Sequence, residues 1–436
     1  MLFDFDSQLP ATLTDMVNTL SVNAARINSD LMESCQWGST PGGGMNRLTL
    51  NDDDKKVREW FVEQVKKYGC SVKVDEVGNI FAIRPGKNDS LPPIGMGSHL
   101  DTQPAGGKYD GIVGVHCALE VLKTLHENNV ETYAPVAVID WTNEEGARFP
   151  PAMLCSGVWA GKFSKEYAYD RTDLKGLKFG EELERIGFKG DTPASYEANK
   201  LSAHYEVHIE QGPILEAEDK PIGVVTGVQA ISWFNVELRG REQHCGTTPM
   251  DKRADTLLTA AKMIVAINSV ALRTPGGLAS VAVINSSPQS INTLASSVQF
   301  NIDVRARDDD MLASLESELE KACWEIADDA GVEMRVWERF WNARKTVFDE
   351  RCVGFVKEAV QEAGLGWREI QSGAGHDSVY TASRVPTSMI FVRCKDGISH
   401  NPAEYASPEH IAAGATVLLG AVLRYDAYLN SRETGK

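Results

Sequence analysis

The chain has 436 residues and a formal net charge of −17, from 44 Lys and Arg against 61 Asp and Glu. With 42% hydrophobic and 24% charged residues it has globular composition, which excludes fibrous and disordered classes. It is longer than the roughly 250–300 residues at which one core stops growing, so two domains are expected, and an acidic chain with no Lys/Arg-rich tract argues against nucleic acid as a partner.

The opening residues, MLFDFDSQLP, lack the basic region and apolar run of a secretory signal. The longest uncharged stretch, near 274–302, is too rich in Gly, Ser, Asn, Gln and Pro for a membrane span. A soluble, cytoplasmic protein with no membrane partner is expected. The cysteines at 35, 70, 117, 155, 245, 323, 352 and 394 are dispersed, with no CxxC pair. That pattern fits reduced thiols and offers no framework for a structural zinc.

In chain order, residues 12–34 and 53–68 read as helices. In the second, Val57, Trp60, Phe61 and Val65 recur at three- and four-residue steps, and Gly69 is the stop. Glycines 42–44 form a turn that lacks the Lys and Ser/Thr of a phosphate loop. Residues 71–77, 79–84 and 93–98 are short and β-prone. After a Gly-rich loop, a helix over 114–128 carries Val115, Leu119, Leu122 and Leu125 on one face. Residues 134–141 are almost purely apolar, as in a strand buried on both faces of a parallel sheet. Strand, loop, helix, strand is an α/β signature.

The middle changes character. Residues 231–238, 280–285, 297–305 and 332–339 read as strands, and 254–268 and 309–330 as helices, which suits a small antiparallel sheet with helices on one face. The last third returns to a helix over 349–362, a strand over 388–391 and a helix over 408–429. The expectation is a large α/β catalytic domain with a mainly parallel sheet, residues 1–229 and 346–436, interrupted by a smaller α+β domain, residues 230–345. Such an insertion into a loop is thermodynamically cheap.

Of the nine histidines, His116, His126 and His410 look like ordinary helical or surface residues. The others fall at strand ends or in Gly-rich loops, where parallel α/β domains place their ligands. In GSHLDTQPAGGKYDG, residues 97–111, His99 follows a strand, and Asp110 ends a glycine-bearing loop where it either bridges cations or caps the next helix. Glu144 and Glu145 stand directly after the apolar strand, where adjacent acids are costly unless solvated or paired with positive charge. In an extended segment His204, Glu206, His208 and Glu210 share one face. His400 lies in SHNP, with Glu404 following. Together His99, Asp110, Glu145, His208 and His400 are a thiolate-free nitrogen and oxygen set that suits Zn²⁺, with Mn²⁺ or Co²⁺ as alternatives. A pair of such ions would activate water and polarise an amide or urea carbonyl.

These motifs, from GGGMNRL at 42–48 to SHNPAE at 399–404, resemble the dinuclear zinc amidohydrolases of the M20 metallopeptidase-like superfamily. The most similar branch holds N-carbamoyl-L-amino-acid hydrolases, allantoate amidohydrolases and yeast-type β-alanine synthase, and residues 97–111 look most like the fungal β-alanine synthases. The resemblance implies two Zn²⁺ per subunit, His99 and His208 as terminal ligands, Asp110 as the bridge, and Glu145 and His400 completing the set. It implies Glu144 as general base and then acid, and Asp101 orienting His99. It carries substrate-binding roles onto Gln211, His244, Asn292, Arg305 and His376, with His244 also stabilising the oxyanion. In that reading Arg305 clamps the substrate carboxylate with its planar fork and Asn292 adds a donor to the same group; by position alone Arg305 is a strand-edge surface residue. Cys245 stands where relatives commonly have Ala, and Arg393 and Cys394 where they often carry a Pro-containing turn.

The implied activity is metal-dependent hydrolysis of the ureido C–N bond of a carboxylate-bearing substrate. N-carbamoyl-β-alanine, giving β-alanine, CO₂ and NH₃, is expected first, then an N-carbamoyl-L-α-amino acid, then allantoate. The implied assembly is a homodimer through the inserted domain, which also acts as a lid. Two other readings stand beside it: an aminopeptidase or aminoacylase on the same scaffold, and a non-catalytic binding protein that keeps the fold.

Overall fold

A computed structural model describes residues 20–434. The chain folds into two compact units, one ending at Gly227 and resuming at Val347, the other spanning Val228–Thr346.

The larger unit is built on a mixed sheet whose order is Ser71–Val74, Ile80–Arg84, Val136–Trp141, Ile94–His99, Ala203–Ile209, Thr387–Val392 and Ile222–Val228, with Trp367–Ser372 joined to the last. The four central strands, from Val136–Trp141 to Thr387–Val392, are mutually parallel, and the strands flanking them pair antiparallel. Every residue of those four is buried, which explains the almost purely apolar run of Val136–Trp141. The alternation of Ala203–Ile209 sorts its side chains cleanly. Tyr205 meets Tyr425 of the long helix Pro408–Thr434 on one face, while His204, Glu206 and His208 meet Trp141, Ser378 and His376 on the other. Glu210 leaves that series just past the strand end, where it accepts the N–H groups of Ile214 and Leu215.

Helix Asp52–Lys67 begins where the sequence signals it, with Asn51 accepting from Asp54 N at 2.7 Å, acids in its first turn and lysines in its last. The opening helix is Ala24–Ser34; residues 12–19 of the expected helix lie outside the described residues. Between 141 and 203 the sequence suggested no regular element, yet the chain forms helices Leu154–Trp159, Lys165–Tyr169 and Phe179–Ile186. Each is too short for a 3.6-residue period to stand out. Strands Ile222–Val228 and Trp367–Ser372 were likewise not anticipated. All eight cysteines are free thiols, seven of them buried.

The smaller unit is a four-stranded antiparallel sheet, in the order Glu333–Ala343, Ala230–Arg239, Ser297–Ala306 and Leu278–Ser287. Helices Thr256–Arg273 and Asp309–Asp329 form one core with it, Met263, Ile267, Leu315 and Leu319 lying against Phe234, Val236, Phe300 and Ile302. A two-stranded ribbon, Gln243–His244 with Thr293–Leu294, extends beyond the sheet end at which Ser297 pairs Arg239. Helix Thr256–Arg273 is long and apolar enough to cross a membrane by length and composition. Its buried stripe belongs to this core, while Leu257, Leu258, Val265 and Leu272 are exposed.

Candidate metal centre

The parallel strands deliver their carboxyl ends to one place. His99 is the last residue of Ile94–His99, His208 the penultimate residue of Ala203–Ile209, and Glu144 and Glu145 follow Val136–Trp141. His400 comes from the loop after Thr387–Val392, and Asp110 from the loop that leads into helix Ile112–Glu127. Asp110 is the centre of the group. Its Oδ1 lies 3.0 Å from His208 Nε2 and 3.8 Å from His99 Nε2, and its Oδ2 lies 3.1 Å from His400 Nε2. His400 Nε2 is also 3.5 Å from Glu145 Oε2, and His99 Nε2 is 3.5 Å from Glu144 Oε2. Two candidate ligand sets therefore share Asp110, His99–Asp110–His208 and Asp110–Glu145–His400, and a third group, Glu206–His208–His376, shares His208.

The protonation pattern tests whether cations fit. His99 Nδ1 donates to the Asp101 carbonyl and His208 Nδ1 to the Ile209 carbonyl, each at 2.9 Å. A neutral ring held that way turns a bare lone pair outward on Nε2. His208 Nε2 indeed accepts the Gly111 N–H at 3.2 Å, yet it also faces a carboxylate oxygen that can only accept. Among the described residues, no Lys or Arg pairs with Asp110, Glu144 or Glu145; their ion-pair partners are histidines.

Charge balance says the same. Burial raises Glu144 well above the carboxylate range, helped by Asp377, Glu145 and Asp110, and burial raises Glu145 likewise, helped by Asp110 and Asp101. Burial would raise Asp110 too, but the hydrogen bonds of His208 and His400 outweigh it and hold it low. Burial would drive His208 neutral, and the Asp110 carboxylate instead pulls it up to about 9, so that without a cation Nε2 takes a proton towards Asp110 in place of the lone pair it would offer an ion. Converging lone pairs and buried carboxylates demand positive charge among them, and divalent cations answer that demand. The donor set fits a binuclear metal site.

The surrounding chain fixes this geometry. Gly111 sits at φ +65°, and a Cβ there would lie 2.2 Å from His99 Nε2, so only glycine allows the helix to start beneath the ring. Asn143, Gln211 and His400, beside or within the site, also have positive φ, at 59°, 57° and 53°. Backbone strain held by packing is common where side chains must be aimed. Asp101 holds the His99 ring through its backbone. Its main-chain carbonyl, not its carboxylate, receives the His99 ring, while the carboxylate lies 3.7 Å from Nδ1. That carboxylate accepts the N–H groups of Glu144 and Glu145 and the Thr49 hydroxyl, and so holds the paired acids.

Gln211 donates its amide to Asp110 Oδ2 at 2.9 Å and to Ser399 Oγ at 3.0 Å, which ties it to the shared carboxylate. His376 is buried behind His208, edge-on at 4.5 Å between centroids, with Nε2 2.8 Å from Ser372 Oγ. Burial and the neighbouring His208 push it well below the usual histidine range. Gln103, which sequence reasoning did not single out, binds both Glu145 oxygens, through its backbone N at 3.1 Å and Nε2 at 2.7 Å. It lies inside the 97–111 motif, and that place was the available signal.

In the smaller unit, His244 pairs with Thr293 across the ribbon, beside Asn292, whose carbonyl accepts Cys245 N at 2.8 Å. His244 Nδ1 accepts Gly246 N at 3.1 Å, so the neutral ring carries its proton on the exposed Nε2 and can donate. Arg305 is elsewhere. It lies near the far end of strand Ser297–Ala306, about 26 Å from Ser297 at roughly 3.3 Å per residue. There Asp303 holds it bidentately at 2.8 and 2.7 Å. Asn292 instead adjoins the two-stranded ribbon, next to Thr293.

Residues 95–424 match the model of peptidase family M20/M25/M40. The chain is 43% identical over 403 residues to an N-carbamoyl-L-amino-acid amidohydrolase of Rhizobium meliloti, covering 92% of this chain and 96% of that protein. It is 32% identical to a ureidoglycolate hydrolase of Arabidopsis thaliana over 93% of this chain and 87% of that one. An amidase of the hydantoinase/carbamoylase family from Burkholderia multivorans superposes with a TM-score of 0.88 at 45% identity, covering 94% of this chain and 99% of that one.

Proposed function

Because the chain belongs to the M20/M25/M40 peptidase family, as a metal-dependent amidohydrolase of its hydantoinase/carbamoylase branch, we propose that it hydrolyses the carbamoyl C–N bond of an N-carbamoyl-L-α-amino acid. The observation that carries the reading is the Asp110 carboxylate shared by two histidine-bearing ligand sets, with Glu144 beside them. N-carbamoyl-β-alanine offers the same ureido and carboxylate groups with one more backbone methylene, a difference typically worth only ~1–3 kcal/mol of discrimination. The 43% identity to the Rhizobium meliloti enzyme favours the α-amino acid series.

Two Zn²⁺, or Mn²⁺ or Co²⁺, would be held by His99, Asp110, Glu145, His208 and His400, and when bound would supply Lewis acidity to water and to the carbonyl. Glu144 takes a proton from the attacking water and returns one to the leaving nitrogen, so that one water and the ureido group yield the free amine, CO₂ and NH₃. Arg305, preset by Asp303, has the planar fork that suits a carboxylate, and His244 Nε2–H the donor that suits an oxyanion.

The proposal includes a homodimer through the insert. Strand Leu278–Ser287 is a sheet edge with Leu278, Val283 and Ile284 exposed, beside the exposed leucines of helix Thr256–Arg273. Such an edge invites a second chain.

The test is ammonia release after reconstitution with Zn²⁺, Mn²⁺ or Co²⁺, from N-carbamoyl-L- and D-α-amino acids, N-carbamoyl-β-alanine and allantoate, with dipeptide cleavage measured alongside. The L-α series should turn over fastest. A dominant dipeptidase activity would sink the ureido reading, and inertness with every metal would favour a binding protein.

A further inference from the structure

The acidic residue after the SHNP motif has no place in the ligand set, yet its contacts converge on the shared carboxylate. Glu404 is 4% exposed and spends both oxygens on the site's framework. Oε1 accepts the backbone N–H groups of Tyr109 at 2.9 Å and Asp110 at 3.0 Å. Oε2 lies 3.1 Å from the Ser399 hydroxyl, which is equally 3.1 Å from Asp110 Oδ2. Gln211 donates to both Ser399 Oγ and Asp110 Oδ2, so Asp110 is gripped by its backbone and its side chain from one small network. The loop has also left room for this residue: a Cβ at Gly107 would fall 2.1 Å from Glu404 Oε1.

We propose that Glu404 is a positioning residue for the Asp110 bridge, joining loop 100–111 to loop 393–407 so that the two Asp110 oxygens face separate histidine sets. The inference rests on the reading of Asp110 as a shared metal ligand. The physical reason is geometric. Rotation of Asp110 by a fraction of a turn would turn one oxygen away from its histidines, and an aspartate at a loop end has nothing else among its described contacts to fix its backbone N–H. Partners of this kind typically contribute 10–100-fold to metal affinity. Glutamine is nearly isosteric. Its carbonyl oxygen can still take the Tyr109 and Asp110 N–H groups, and its amide can donate to Ser399 Oγ, leaving the Ser399 hydrogen for Asp110.

The experiment is calorimetric titration of the chelator-stripped full-length chain with Mn²⁺ alone, with far-UV circular dichroism and thermal unfolding on each variant. E404A should bind the ion about 10-fold or more weaker while keeping its fold, and E404Q should stay within about 3-fold of the original chain. If E404A does not fold, G107A displaces the same carboxylate without removing it and should show the same loss. An E404A or G107A chain that loses thermal stability but binds Mn²⁺ with full affinity makes Glu404 a loop anchor only and overturns the proposal. E404Q as weak as E404A overturns it in favour of net charge. D110N separates the two levels: if it binds Mn²⁺ as tightly as the original chain, the metal reading itself fails, whatever Glu404 does.

Discussion

Replacing Gly111 by alanine isolates how tightly the centre is built. The substitution has two costs that the structure separates. An L residue at φ +65° carries the left-handed penalty of about 1–2 kcal/mol. The new methyl also meets the His99 ring, at 2.2 Å from Cε1 and Nε2 and 2.4 Å from Cδ2. That ring cannot swing away freely, because its Nδ1 is tied to the Asp101 carbonyl. Overpacking against a fixed group adds about 1–3 kcal/mol, for a total near 2–5 kcal/mol. Gly43 supplies the control: it has φ +86° with nothing within 4 Å, so Gly43→Ala should pay the backbone penalty alone. Urea unfolding should place Gly111→Ala about 1–3 kcal/mol below Gly43→Ala, and Mn²⁺ titration should show a weakened site only in the first. Equal stabilities with intact metal binding would refute the claim that this glycine exists to clear the ligand ring.

Glu144→Gln should retain metal, since the five candidate ligands are untouched, while ammonia release falls by roughly 10²–10⁴; full activity would remove Glu144 from the reaction. His116 is buried against Ser34 and pushed down to about 3, chiefly by burial. The unfolded chain therefore binds its proton first, near pH 6.5, and stability is lost as pH falls from there towards 3. Between pH 7 and 5 the stability of the original chain should fall relative to His116→Gln by about 2 kcal/mol, and a constant gap in urea unfolding would contradict the assignment. Arg58 is fully buried, 2.8 Å from Asp54 and 3.5 Å from Asp140. Arg58→Met should cost about 3–5 kcal/mol. Lys67→Met, which breaks an exposed pair with Glu63, should cost less than about 1 kcal/mol by the same measurement.

The elements that the sequence made legible are those with a long period or a pure composition. Val57, Trp60, Phe61 and Val65 announced helix Asp52–Lys67, and the apolar run before Trp141 announced a strand buried on both faces. Helices of five to eight residues between 154 and 186 were silent, because two turns hold too few positions for a period to show. Strand Trp367–Ser372 was silent for a related reason: it lies at the sheet's side with mixed burial and no clean alternation.

At the site, residue types at strand ends and in Gly-rich loops nominated His99, Asp110, Glu145, His208 and His400 as a nitrogen and oxygen donor set, and the family resemblance gave each its role. What tertiary structure alone decided is orientation. It assigned the His99 ring to the Asp101 carbonyl and the Asp101 carboxylate to the paired acids, set Gln211, Ser399 and Glu404 around Asp110, and gave Arg305 to the Asp303 carboxylate. Composition and spacing record which groups the chain owns and on which side of an element each stands. Which lone pair meets which partner depends on chain segments hundreds of residues apart meeting within ångströms, and only the packed fold sets those distances.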